Sequence, residues 1–345
     1  MKKLSGFNKL MLVLNVVLTL LTFIAYALPF LAPKLFPILS VFTLMLPLML
    51  VLNGLFFLYW LFQLKKLMLL SGLVLLLGIT FISKFYKFSG RDIEKEDGDI
   101  TLMSYNVRLF NMYNWLPHHG VTDSIRSFIA KHDPDIICFQ EFANAGDPII
   151  RGFKYKFIFS NNDGPRSGQA IYSKYRIVDT GTIRFPNTSN NVIFADIKKG
   201  KDTIRLYSMH LQSIRISQDI HEEMDEQRSR AIFRRLSSAF KKQQQQAEMV
   251  QKHKEGCHHS MIVCGDLNNS AFSYVYRSVR GNLNDAFEEA GKGFGKSYNY
   301  KYYPARIDYI FADKRFTVKE YTTYRDFINS DHFPVLTRLK LEADN

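Results

Sequence analysis

Three long apolar runs open the chain, at 10–31, 35–64 and 67–82. A bilayer core takes about 20 apolar residues per helix, so these read as three spans, the last one short. Pro29, Pro33 and Pro37 mark the first reversal and Lys65-Lys66 the second. Ala25-Tyr26-Ala27 has the form of a signal-peptide cleavage site. Apolar sequence nevertheless continues well beyond it, which favours an anchor over a cleaved signal.

From residue 99 the pattern changes. Short apolar stretches, typical of buried strands, fall at 100–105, 136–139, 153–160, 169–173, 193–197, 203–209, 261–264, 306–311 and 335–341. The pair 193–197 and 203–209 flanks a Lys-Gly turn and predicts a hairpin. Helical spacing appears at 121–131, with Val121, Ile125, Phe128 and Ile129 on one face, and again at 217–255, 270–279 and 283–287. Gly291 to Gly295 reads as a loop, since no strand leads into it. The expected organisation is an anchor over 1–83, a charged linker over 84–98 and an α/β domain over 99–345.

Charge refines this picture. The chain of 345 residues has a formal net charge of +13. Eight of those charges lie in residues 1–90, which contain no acid, so the remainder carries a modest +5. Such a surface suits anionic substrates without specifying them. Lys2, Lys3, Lys9, Lys65 and Lys66 fall on one side of a three-span arrangement, against Lys34, Lys84, Lys87 and Arg91 on the other. The positive-inside rule then places the N-terminus in the cytoplasm and the large domain on the extracytoplasmic side of an integral membrane protein. Two spans would leave the domain cytoplasmic. Three cysteines form no disulfide framework. Cys257-His258-His259 with Cys264 does not have the spacing of a zinc site, and Cys264 lies inside a buried strand.

The chemistry-bearing residues sit where strands end. Met261 to Cys264 leads into Gly265-Asp266-Leu267-Asn268, which sets a carboxylate and an amide on one rim. Open α/β sheets usually place their ligands there. Asn106, Glu141 and His210 also close predicted strands, Asp308 lies within one, and Asp331-His332 precedes the last. Each has a plain alternative: a turn or cap for Asn106 and Asp266, a solvated rim for Glu141, a structural imidazole for His210.

In combination and order these pieces are telling. Tyr105-Asn106-Val107, Gln140-Glu141, Met209-His210-Leu211, Gly265-Asp266-Leu267-Asn268, Arg306-Ile307-Asp308-Tyr309 and Ser330-Asp331-His332-Phe333-Pro334-Val335 resemble the endonuclease/exonuclease/phosphatase superfamily, the DNase I-like fold. The resemblance spans about 99–341 and excludes the apolar segment. It implies a four-layer α/β/β/α sandwich of two mixed sheets and a metal-dependent hydrolase acting on phosphoesters. By the same resemblance Glu141 holds a divalent cation, with Asn106 and Asp331 completing its shell. Mg²⁺ is the expected ion, with Mn²⁺ and Ca²⁺ as alternatives. Asp266 activates the attacking water and Asn268 donates to the phosphate. His210 and His332 contact phosphate oxygens, and Asp308 pairs with His332. Arg166 and Tyr172 are weaker candidates for substrate contact.

The fold does not choose the substrate. A membrane-anchored nuclease or phosphodiesterase is the first reading. A phosphatase or phospholipase C-like hydrolase of lipid headgroups or small phosphoesters is the second, and an inactive membrane-bound interaction module the third. The partners implied are a phosphoester, with nucleic acid one candidate, and a lipid bilayer; no protein partner is inferable.

Overall fold

A computed structural model describes residues 4–117, 119–143, 150–160, 167–214, 226–301 and 303–343. Twelve strands make two six-stranded sheets. The strands are β1 (Ile100–Asn106), β2 (Ile136–Ala143), β3 (Tyr155–Ser160), β4 (Ser167–Ser173), β5 (Ile177–Arg184), β6 (Asn191–Lys199), β7 (Asp202–His210), β8 (Ser260–Asp266), β9 (Asn284–Asp285), β10 (Asp308–Ala312), β11 (Phe316–Thr323) and β12 (Val335–Leu341). One sheet runs β11-β12-β1-β2-β4-β3 and the other β9-β10-β8-β7-β6-β5. Each has a single parallel pair at its centre, β1 with β2 and β7 with β8. Their last partnered residues are Asn106 opposite Gln140 and His210 opposite Asp266.

The inner faces pack on each other. Ile100, Leu102, Ile136 and Cys138 meet Ile204, Leu206, Ile262 and Cys264 in one fully buried cluster. The outer face of the first sheet is covered by the helix Val121–His132 through Ile125 and Ile129. That of the second is covered by Glu226–Glu255 and Tyr274–Arg280 through Ala247, Val250, Val275 and Val279. The result is the expected helix–sheet–sheet–helix sandwich. Strands alternate side chains between faces. On the inner face of β1 this gives Ile100, Leu102, Ser104, Asn106; on β7, Ile204, Leu206, Ser208, His210; on β8, Ile262, Cys264, Asp266. All three sequences turn from apolar to polar toward the same end.

The middle tier is a hydrogen-bonded layer. Gln140 Nε2 donates to Ser208 Oγ across the sheets at 3.0 Å, and Ser208 Oγ donates to Gln169 Oε1 at 2.9 Å. Gln169 Nε2 in turn donates to Asn191 Oδ1 at 2.8 Å. Each buried polar group paired in this way avoids a desolvation penalty of about 1–3 kcal/mol.

Three strands, β5, β9 and β11, lie outside those expected from the sequence. All three are edge strands, and β5 carries three exposed residues in a row, Val178 to Thr180. The stretch 291–295, read as a loop, contains Gly293–Phe294 paired with Tyr86–Lys87. The segment 84–98 accordingly follows the domain surface: Arg91 N donates to Ala290 O and Ile93 N to Lys319 O, both at 3.0 Å. Of the expected helix over 217–255, residues 217–225 fall outside those described. The 270–279 helix begins at Tyr274, capped by Ser273 Oγ. The 283–287 stretch divides into β9 and the helix Ala286–Ala290.

Two N-terminal helices, Gly6–Phe30 and Pro37–Phe62, are long and apolar enough to cross a membrane. Met68–Leu77 and Ile79–Phe85, bent by 62°, make a third if taken as one span. Buried polar bonds tie them together: Asn15 Nδ2 to Ser71 Oγ at 2.7 Å, Trp60 Nε1 to Asn15 Oδ1 at 3.0 Å, and Asn53 Nδ2 to Thr22 Oγ1 at 3.0 Å. The turn after the first helix touches the domain, where Lys34 N donates to Gln244 Oε1 at 2.6 Å.

Gly265 fixes the approach of β7 to β8. Its φ is +121°, and a Cβ there would lie 2.2 Å from Met209 O. Gly265→Ala is expected to cost about 3 kcal/mol or more from strain and overlap together. Thermal unfolding followed by near-ultraviolet circular dichroism should show the midpoint falling by several degrees.

Candidate active site

Both parallel pairs end at the same place, and the charged tier is assembled there. Asn106 ends β1, Glu141 lies near the end of β2, His210 ends β7 and Asp266 ends β8. Asp308 opens β10 directly opposite Asp266. Ser330, Asp331 and His332 arrive on the loop before β12.

Backbone strain marks two of these positions. Glu141 sits at φ +49° where the register of β2 with β4 slips between Phe139 and Phe142. Asn268 has φ +50°. Left-handed backbone at such residues costs about 1–3 kcal/mol and collects at functional sites. A denser case follows Asn106, where Arg108, Leu109, Phe110 and Asn111 all have φ between +42° and +60°.

Asp266 is the hub, with 1 % of its surface exposed. Its Oδ1 accepts from Asn268 N at 2.7 Å, and its Oδ2 accepts from Asn268 Nδ2 at 3.0 Å and Asn106 Nδ2 at 3.2 Å. Asn106 Nδ2 also donates to Glu141 Oε1 at 3.2 Å, while its Oδ1 accepts from Arg108 N. The amide nitrogen of Asn106 thus stands between two carboxylates; turned over, the same amide would offer its oxygen. His332 Nδ1 lies 2.9 Å from Asp308 Oδ2, and its Nε2 lies 3.7 Å from Asp266 Oδ2. Asp308 N and Ile307 N both donate to Ser297 Oγ. Ser330 Oγ donates to Asn106 O at 2.8 Å and accepts from His332 N.

The electrostatics separate the two histidines. Burial works against the charged form of His332, but Asp308 and Asp266 outweigh it and raise its pKa well above the usual imidazole value. Burial lowers that of His210, with Glu141 opposing. His210 Nε2 lies 3.5 Å from Glu141 Oε1 and makes no hydrogen bond among the described residues. Burial pushes the Asp266 carboxyl up to about 8, with His332 pulling it down and Asp308 pushing further up.

Asp266, Asp308 and His332 offer ligand atoms within 4.8 Å of one another. A protonated imidazole is a poor metal ligand, however, because its nitrogens are occupied as donors. Glu141, Asn268 and Asp331 are among the oxygen donors that line a common cavity. Among the described residues no Lys or Arg pairs with Glu141, so its carboxylate keeps capacity for a cation.

Asn106, Glu141, His210, Asp266, Asn268, Asp308, Asp331 and His332 are therefore gathered at one end of the sandwich. Tyr172 is not among them. It is 2 % exposed and packs against Phe139, Phe142 and Phe153 beneath the outer helix. Arg166 lies outside the described residues. Sequence reasoning overlooked Arg108, whose guanidinium is 3.3 Å from Asp331 and stacks over Trp115. It also overlooked Ser330 and Ser297 as supports. Their one signal was proximity to Asn106, Asp331 and Asp308 in the chain or across a turn.

Two mixed sheets packed face to face, with carboxylates, amides and histidines where their parallel pairs end, define a metal-dependent hydrolase of phosphoesters. The chain belongs to the endonuclease/exonuclease/phosphatase family, whose model matches residues 103–332. Residues 8–85 match a second family, described only as a domain of unknown function. No curated protein matches the chain. Solved structures show the same fold. The human Nocturnin catalytic domain with bound sulfate is 19% identical over 72% of this chain and 97% of its own, with a TM-score of 0.54. TDP2 of D. rerio complexed with single strand DNA product is 19% identical over 71% and 100%, at 0.52. The mannosyl-6-phosphatase of Bacteroides thetaiotaomicron is 22% identical over 70% and 99%, at 0.51.

Asp308→Asn should remove the charge that keeps His332 protonated and move its titration midpoint down, as read by NMR of isotope-labelled histidine. The sign for stability follows. With its folded-state pKa raised, His332 contributes fully below the unfolded value of about 6.5 and loses that contribution as pH rises through the folded value.

Proposed function

We propose that the protein is a membrane-anchored, divalent-metal-dependent phosphoesterase that hydrolyses phosphodiester bonds. The observation that carries this reading is the pairing of Glu141, a carboxylate with no Lys or Arg partner among the described residues, with the Asp266–His332–Asp308 chain beside it. Residues 1–83 form the anchor in this reading, 84–98 a connector lying along the domain, and 99–345 the catalytic domain. The outward faces of the apolar helices leave large side chains such as Phe7, Leu20 and Leu55 more than half exposed, as a lipid-facing surface would.

Glu141, Asn106 and Asp331 would hold the cation. An all-oxygen donor set with few carboxylates suits Mg²⁺, which keeps several waters. Bound there, the ion polarises a phosphoryl oxygen and offsets developing negative charge. Asp266, held by Asn268, orients the attacking water and accepts its proton; its raised pKa lies near neutrality, where a general base is most effective. The His332 imidazolium, fixed by Asp308, donates to a phosphoryl oxygen. Neutral His210 and the Asn268 amide make further phosphate contacts, and Arg108 adds a positive charge beside Asp331.

Nuclease action is the reading suggested first by the motifs, and the likeness to the D. rerio protein holding a single-stranded DNA product supports it at the level of fold. Nucleic-acid and lipid phosphodiesters present the same reacting atoms to this centre.

The test uses the full chain in lipid nanodiscs with a small chromogenic phosphodiester. Glu141→Gln and Asp266→Asn should each lower kcat by about 10²–10⁴-fold. Chelation should abolish turnover, and added Mg²⁺ should restore it. Unchanged turnover in both variants would place the chemistry elsewhere.

A further inference from the structure

A cavity of about 410 Å³ opens onto the centre. Glu141, Asn268, Asp331 and His332 line it together with other polar groups, and the larger part of its surface is apolar. The apolar wall is built from both parts of the molecule. Leu44 comes from the second candidate span and Phe85 from the end of the third. Ile232 and Leu236 come from the helix Glu226–Glu255, and Phe272 from the loop after Asn268. Leu44 packs in one cluster with Leu236 and Phe240, and Phe85 stacks on Tyr303 with ring centroids 5.9 Å apart.

This arrangement puts the ends of the apolar helices at the active-site mouth. The turn at Lys34 and the exit at Phe85 both touch the domain, so a bilayer around those helices would meet the domain at this cavity. Binding a nucleic-acid strand calls for a groove with several unpaired cations along the backbone path. Among the described residues the wall offers Lys84 and Arg306, and Arg306 is buried against Asp285 at 2.7 Å. A volume of this size fits one small amphiphile.

Resting on the phosphoesterase reading above, we propose that the substrate is a phosphoester borne by a membrane lipid. It reaches the centre from the bilayer, with its glycerol-like and first acyl portions against Leu44, Phe85, Ile232 and Leu236. Water adds to phosphorus while one P–O ester bond breaks. The water's proton passes to Asp266 and the departing alkoxide takes a proton from solvent water, the hydroxide left behind being neutralised by the proton that Asp266 releases, so a diester yields an alcohol and a phosphate monoester.

The experiment presents the full chain in Mg²⁺-containing nanodiscs with phosphatidylglycerol, plasmid DNA and a short water-soluble phosphodiester. Phosphatidylglycerol and the soluble ester should both be hydrolysed. Ile232→Ser, which leaves the centre intact, should lower lipid turnover about tenfold while changing soluble-ester turnover less than about twofold. A series from methyl- to hexylphosphonate, inhibiting soluble-ester turnover, should tighten about threefold to fourfold per methylene. Cleavage of plasmid or soluble ester with the lipid untouched overturns the lipid assignment and leaves the centre standing. Failure on all three substrates overturns the centre, and this inference with it. If Ile232→Ser lowers both activities equally, the phosphonate series on the unaltered chain decides, and a flat series overturns the proposal.

Discussion

A carboxylate buried beside other carboxylates is the constraint on which the site depends. Asp266 is 1 % exposed, faces Asp308 across the ladder and shares Asn106 with Glu141. Left unpaired, such a charge would neutralise or open the sheets. Three hydrogen bonds, from Asn268 through backbone and amide and from Asn106, together with the imidazolium of His332 at 3.7 Å, offset part of that cost. Asn106 and His332 lie far from Asp266 in sequence, so the sandwich must close before either is in place. The Gln140–Ser208–Gln169 layer beneath isolates this charged tier from the apolar core and holds the two sheets in register with each other.

Much of this organisation was legible in the chain. Apolar runs that stop at Asn106, Glu141, His210 and Asp266 identify strand ends because a buried strand tolerates such residues only where the sheets open to the cavity. Gly265 was readable as a turn residue, but its closer reason is the approach of Met209 O from the neighbouring strand. Three of the four sheet edges were not legible; β3 was. β5 reads Ile-Val-Asp-Thr-Gly-Thr-Ile-Arg, half solvated and interrupted by glycine, and an edge strand needs only one buried face. β11 hides Lys319, which sequence alone assigns to the surface; it is buried because Asp99 lies 2.9 Å away. Arg108 escaped notice because its position depends on four consecutive left-handed residues, for which Arg-Leu-Phe-Asn carries no signal. Tyr172 was drawn toward the site by its nearness in sequence to the loop, whereas strand alternation turns its ring to the outer face.

The apolar segment is more than a tether. Asn15, Thr22, Asn53, Trp60 and Ser71 bond to one another inside the helical unit, as polar groups do where lipid offers no alternative partner. At its domain end the unit contributes to the wall around the centre, and the connector after Phe85 adds strand pairing and backbone bonds to the domain. Orientation between helices and sandwich is thus set by packing and not by the length of a flexible linker.

The hydrogen bond from Ser330 to Asn106 spans 224 residues of sequence. Contacts of such separation form late, because loop closure must precede them. Synthesis proceeds from the N-terminus, so the apolar helices and most of both sheets exist before Asp331 and His332 leave the ribosome. A hydrolase arranged in this way has no competent centre while it is being made. Its site is assembled only once the Asp331–His332 segment has been made, long after the apolar helices.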